Sequence, residues 1–171
     1  MRGSKTRALI ARSAAAGAAA ALLLFSGGTA AADPTGDPAA LRREIRRRAR
    51  SQVGAPYSYG GTSPSGFDCS GFTRWVFKRY GVKLPHSSLR QYQLGLRGRN
   101  KRIGKRKNLR IGDLVFHKTT SAKVGHVGIY IGKGRFISST SSGGVQVRDL
   151  YDPYYWSQRF VAGTRLAPTR W

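Results

Sequence analysis

A single cysteine, Cys69, in a chain of 171 residues rules out an internal disulfide, so the fold must rest on a hydrophobic core. How much chain is available for that core is set at the N-terminus. Arg2, Lys5, Arg7 and Arg12 precede an Ala/Leu-rich apolar run from Ala14 to Phe25, and small residues ending Ala30-Ala31-Ala32-Asp33 follow. This order of basic, apolar and small residues predicts a secretory signal peptide over residues 1–32, cleaved near Ala32. The apolar run falls short of the roughly 20 residues that span a bilayer, which disfavours a membrane anchor. A lipid anchor needs a cysteine at the cleavage point, and Cys69 lies far downstream. No adjacent arginine pair precedes the apolar run, so general secretion is expected rather than twin-arginine export. Taking 32 residues from 171 leaves 139, enough for one compact domain. A short linker over 33–40 and a single domain over 41–171 are expected.

Charge narrows the partners. Four of the 31 Lys and Arg lie in the leader, which leaves 27 against 7 acidic residues. Such an excess calls for a polyanionic neighbour. An exported chain meets anionic cell-wall polymers or anionic lipids before nucleic acid, so no nucleic-acid role is expected. Two segments concentrate the charge. Ala39 to Val53 reads as a helix with a thin apolar stripe of Leu41, Ile45 and Ala49, its other faces carrying Arg42, Arg43, Arg46, Arg47, Arg48 and Arg50 as a solvated basic surface. Arg97 to Arg110 reads as an exposed basic loop.

Gly54 to Phe67 is rich in Gly, Ser, Pro and Tyr and reads as loop and turn. From Cys69 onward, Phe72, Trp75, Val76 and Tyr80 recur at helical spacing until Gly81 supplies a stop. Cys69 therefore opens a helix. Leu114–Phe116, His126–Ile131, Arg135–Ser138 and Val145–Val147 have strand composition, with Gly132-Lys133-Gly134 as a hairpin turn. Helices first and strands later, without βαβ alternation, predict an α+β domain whose antiparallel sheet packs on the cysteine-bearing helix.

A thiol at a helix N-terminus meets unpaired N–H groups and the positive end of the helix dipole, both of which favour its anion. A base must come from elsewhere, and the candidates are His86, His117 and His126. His126 lies at a strand start between Gly125 and Val127-Gly128, where small neighbours leave the ring approachable. His117 ends an apolar strand and His86 follows Pro85, positions that suit structural or surface histidines.

Pro56-Tyr57-Ser58-Tyr59-Gly60-Gly61, Asp68-Cys69-Ser70-Gly71, Leu84-Pro85, Gln91, Gly112-Asp113-Leu114-Val115-Phe116 and Gly125-His126-Val127-Gly128 come in one order. This ordered set resembles the NlpC-type cell-wall cysteine peptidases over about residues 45–166. The resemblance implies a papain-like fold and hydrolysis of peptide bonds in peptidoglycan stems or cross-links; that chemistry needs no metal or organic cofactor, and a monomer is expected although the sequence does not specify the oligomeric state. The resemblance implies Cys69 as nucleophile, His126 as base, Tyr57 as the tyrosine near the oxyanion, and Asp68 and Ser70 as positions that help bind the stem peptide. The family's third catalytic residue, usually a histidine, falls where this chain has Ser138. A hydroxyl there can accept a hydrogen bond from the imidazole, with less support for imidazolium than a carboxylate gives. Two other outcomes share the same features: a catalytically inactive wall-binding or adaptor protein on this fold, and a thioester-forming amidase or acyltransferase.

Overall fold

A computed structural model describes residues 37–167 of the protein. The expected signal peptide and the first half of the expected linker, residues 33–36, lie outside the described residues. Helix α1, Pro38–Arg50, begins inside that linker because Asp37 caps it: its carboxylate accepts the Ala39 N–H at 2.7 Å, and proline occupies the first turn, where no N–H is needed. Leu41, Ile45 and Ala49 are its buried stripe, as the spacing predicts. The basic surface of α1 is only partly solvated. The Arg48 guanidinium lies 3.6 Å from the centre of the Trp75 ring, and Arg42 donates to the Ile111 carbonyl at 3.1 Å. Two of the six arginines thus serve as packing, because long stems cover apolar surface while the heads find acceptors.

A two-stranded hairpin, β1 (Thr62–Ser63) and β2 (Gly66–Phe67), leads into α2 (Cys69–Lys78), which starts at the cysteine itself. The short α3 (Ser88–Leu94) follows, capped by the Ser87 hydroxyl. The remaining strands are β3 (Lys101–Ile103), β4 (Leu114–His117), β5 (His126–Gly132), β6 (Arg135–Thr140), β7 (Gly144–Asp149) and β8 (Phe160–Arg165), with the four-residue α4 (Trp156–Arg159) before β8. They form one antiparallel sheet in the order β3-β8-β4-β5-β6-β7. Helices beside a single antiparallel sheet are the α+β architecture expected.

The region read as an exposed basic loop holds β3, which differs from expectation. Only Ile103 of that strand is buried; Lys101 and Arg102 face water at the sheet edge, where charge discourages further strand pairing. The strand β8, not foreseen, is central, paired to both β3 and β4. Its Phe-Val-Ala-Gly-Thr-Arg composition is too mixed to announce a central strand, and Gly163 is there because a side chain would run into Leu109.

Both faces of the sheet are covered. On one, Leu41, Ile45, Phe72, Val76 and Tyr92 from the helices meet Phe116, Val127, Ile129 and Ile137. On the other, Val115, Phe136, Leu150 and Trp156 form a second cluster. Burial on both sides explains why Leu114-Val115-Phe116-His117 is inaccessible throughout, with no polar alternation.

Candidate active site

The start of α2 is built around one carboxylate. Oδ1 of Asp68 accepts the Gly71 N–H at 2.7 Å and the Ser70 hydroxyl at 2.9 Å, while Oδ2 accepts the Gly60 N–H at 3.1 Å and lies 2.7 Å from His86 Nε2. Asp68 thus caps the helix and ties it to the loop that carries Tyr57, leaving Cys69 in the first turn. Gln91, wholly buried on α3, braces the same turn: its amide donates to the carbonyls of Ser70 (3.1 Å) and Pro85 (2.8 Å), and its oxygen accepts from Thr73.

Strand β5 supplies the second group. Cys69 and His126 line one cleft of about 580 Å³, together with Tyr57, Ser139, Thr140, Arg148, Tyr155 and Trp156. The backbone N–H groups of Val127, the residue after His126, of Ser70 and of Cys69 itself each favour the Cys69 thiolate. The imidazole of His126 rests against Trp156, ring centres 5.1 Å apart, with its Nε2 buried and unpartnered. Nδ1 is therefore the ring edge available to the cleft.

Electrostatics separate the two groups. Burial pushes the Cys69 thiol up to about 11, against the pull of the three backbone N–H groups, and the Asp68 charge adds to the rise. Burial, and then the positive charge of Arg148, push the His126 imidazole down to about 4. The helix start acts in the direction expected from the sequence, but loss of water outweighs it, so the resting pair is a neutral thiol and a neutral imidazole. Tyr57, half-buried at the same cleft, is raised by desolvation and by the neighbouring Cys69 and Asp68 charges.

Of the residues named from sequence, Cys69, His126 and Tyr57 reach the cleft. Asp68 and Ser70 sit behind the nucleophile, bonded to each other. Ser138 is fully buried on β6 with its hydroxyl unpartnered. His117 is not a surface histidine: it is inaccessible, and burial pushes it to about 3. His86 is the Asp68 partner. Arg148, Trp156 and Tyr155 were not foreseen as site residues; they arrive from β7 and from the turn around α4, which no local motif connects to Cys69.

The NlpC/P60 family model matches residues 54–165, the span that holds every one of these groups. The chain is 38% identical over 125 residues to a bifunctional muramidase/DL-endopeptidase, CwlT, of Bacillus subtilis strain 168, covering 71% of this chain and 36% of that protein. It is 37% identical over 114 residues to the murein DD-endopeptidase MepS/murein LD-carboxypeptidase of Escherichia coli strain K12, covering 66% and 56%. Among solved structures, an NlpC/P60 family protein from Bacillus cereus superposes with a TM-score of 0.62 at 31% identity, over 72% of this chain and 39% of that one. The chain thus spans from about a third to just over half of the length of these two curated relatives. The family model covers well over half of the chain, and the chain belongs to the NlpC/P60 family.

Proposed function

We propose that this protein is an exported cysteine peptidase that hydrolyses peptide bonds in peptidoglycan stems or cross-links. One observation carries the reading: the only cysteine lies in the first turn of a helix and opens onto the same cleft as a strand-borne histidine. The relatives named as murein or DL-endopeptidases support the substrate class.

In the mechanism, His126 Nδ1 takes the thiol proton as the sulfur adds to the scissile carbonyl. The resulting oxyanion is held by the Cys69 N–H and the Tyr57 hydroxyl. The imidazolium returns its proton to the leaving amine, which departs and leaves a thioester. A water deprotonated by the same imidazole then releases the acid. Asp68 and Ser70 hold the first turn of α2 from behind, and so act on the stem peptide through the position of Cys69. No step calls on a metal or organic cofactor.

The test is product mass spectrometry on purified sacculi and defined muropeptides with the intact protein and Cys69→Ala. Release of stem fragments by the intact protein, and none by Cys69→Ala, is expected; equal release by both sinks the assignment. A second reading, a non-catalytic wall-binding protein on the same fold, is favoured by the raised thiol and by serine at 138. It predicts sacculus binding by both forms with release by neither.

Domain limits and location follow the same proposal: a leader over 1–32 removed on export, and a mature monomer in the cell envelope or outside it. The basic surface would hold the enzyme on anionic wall polymers or lipids. Binding to sacculi should then fall steeply as salt approaches roughly 1 M, where the screening length is about 3 Å; salt-insensitive binding counts against the electrostatic tether.

A further inference from the structure

Four buried polar atoms without partners gather beside the proposed base: Nε2 of His126, both ring nitrogens of His117, and Oγ of Ser138. His117 on β4 and His126 on β5 are direct register partners, so their side chains leave the sheet on the same face. Ser138 joins them from β6, because β5 has a glycine opposite it: a Cβ on Gly128 would lie 3.1 Å from the Ser138 Cβ. The same gap lets Phe136 reach across β5 and stack on His117, ring centres 4.9 Å apart, and Trp156 closes the cluster edge-on at 5.0 Å. The ring centres of His117 and His126 are 6.3 Å apart.

Each unpartnered buried polar group costs about 1–3 kcal/mol, so four in one place form an arrangement that packing alone does not account for. A phenylalanine at 117 would fill the same aromatic stack without that cost. An imidazole there has one use that a phenyl ring lacks, a ring nitrogen able to accept a proton-bearing partner. Across the cluster the matching donor is Nε2 of His126, which must carry a proton whenever Nδ1 is free to act as base.

We propose that His117 is the positioning residue of this active site: its ring nitrogen accepts the Nε2–H of His126, holding the base in the tautomer that leaves Nδ1 open to Cys69. This rests on the reading of His126 as base. The role would otherwise fall to Ser138, whose hydroxyl borders the pair. With ring centres 6.3 Å apart, the two rings must close by at least about an ångström for their nitrogens to meet, a tightening of the sort that catalytic hydrogen bonds undergo when substrate closes the site. His117 stays neutral in this role, since burial holds it far below the ordinary histidine value. The charges that face the pair are the guanidiniums of Arg148 and Arg106, which disfavour a proton on either ring until the thiol gives one up.

The experiment compares kcat and KM on one muropeptide for the intact protein, His117→Phe, His117→Gln and the double variant His117→Phe/Ser138→His. Loss of the group that fixes a catalytic histidine's tautomer costs up to about 10⁴-fold where that group is a carboxylate, and a neutral imidazole acceptor accounts for a smaller share, about 10- to 100-fold. His117→Phe should lower kcat by that amount with KM within about twofold, His117→Gln should keep more activity than Phe, and an imidazole returned from β6 should restore most of the loss. A His117→Phe variant with kcat within about twofold of the intact protein overturns the proposal. In the Cys69→Ala protein, which keeps both histidines, imidazole ¹⁵N shifts should show His126 locked with the proton on Nε2; a mixture of tautomers overturns it without reliance on any His117 variant. Neither result depends on the substrate assignment, whereas absence of Cys69-dependent cleavage removes the peptidase reading and leaves the tautomer measurement standing.

Discussion

The Cys69 sulfur and the His126 ring face each other's cleft in their uncharged forms, and this sets how the site should respond to pH. With the thiol at about 11 and no thiolate–imidazolium pair at rest, iodoacetamide should modify Cys69 slowly near neutrality, with a rate that climbs above the ordinary thiol value of 9.0. A plateau of fast alkylation between pH 5 and about 7 would mean that the ion pair forms before substrate arrives. The asset of this arrangement is that His126 stays a free base down to about pH 4, so kcat/KM should hold to lower pH than an ordinary histidine permits. Tyr57 tests the oxyanion end: Tyr57→Phe should lower kcat by about a hundredfold, the loss expected for one donor, with little change in KM. At this scale the sequence was informative for Cys69, His126 and Tyr57, which sit in short local motifs. It was silent on Arg148 and Trp156, because their place beside His126 depends on strands and turns far along the chain.

Helix α2 is the element that carries the proposed nucleophile, and its position depends on small groups at its start. Asp68 accepts from two groups of α2 and from Gly60 of the preceding loop, so Asp68→Ala removes a cap and a tether together. A stability loss of about 1–2 kcal/mol is expected in urea melts, the range for a lost N-cap. Asp68→Asn keeps the oxygen that Gly71 and Ser70 use and should recover much of it, while lacking the charge that faces His86. Gly71 has a different function: a Cβ there would collide with the Gly61 carbonyl, a backbone group that cannot step aside. Gly71→Ala should therefore push α2 away from the Tyr57 loop and lower both stability and kcat, measured by melting and turnover. The α2 start was legible because the helical spacing of its apolar residues is local. The strands β3 and β8 were not, since an edge strand with one buried residue and a mixed central strand acquire their identity only by pairing.

For the molecule as a whole, the two buried histidines couple stability to acid. His126 and His117 ordinarily titrate near 6.5 and are depressed by burial to about 4 and about 3 in the folded protein. The unfolded chain binds protons in that interval that the folded one refuses, so stability is complete above pH 6.5 and declines as pH falls through the folded values. Thermal melts should show the midpoint dropping from pH 6.5 toward 4, and His117→Phe should lessen the slope; a flat profile would mean that the rings are not held neutral. The basic helix α1, read from composition as a solvated face, proved to lend Arg42 and Arg48 to packing, because neighbours for their heads exist only once Ile111 and Trp75 have been brought to it. What the sequence determined by itself is what short range can encode: a cysteine opening a helix, a histidine opening a strand, an order of motifs and the α+β class. The tertiary structure alone decided the sheet order, the cluster of rings behind the base and the neutral state of the pair, because pairing partners and loss of water are properties of surfaces that meet from distant parts of the chain.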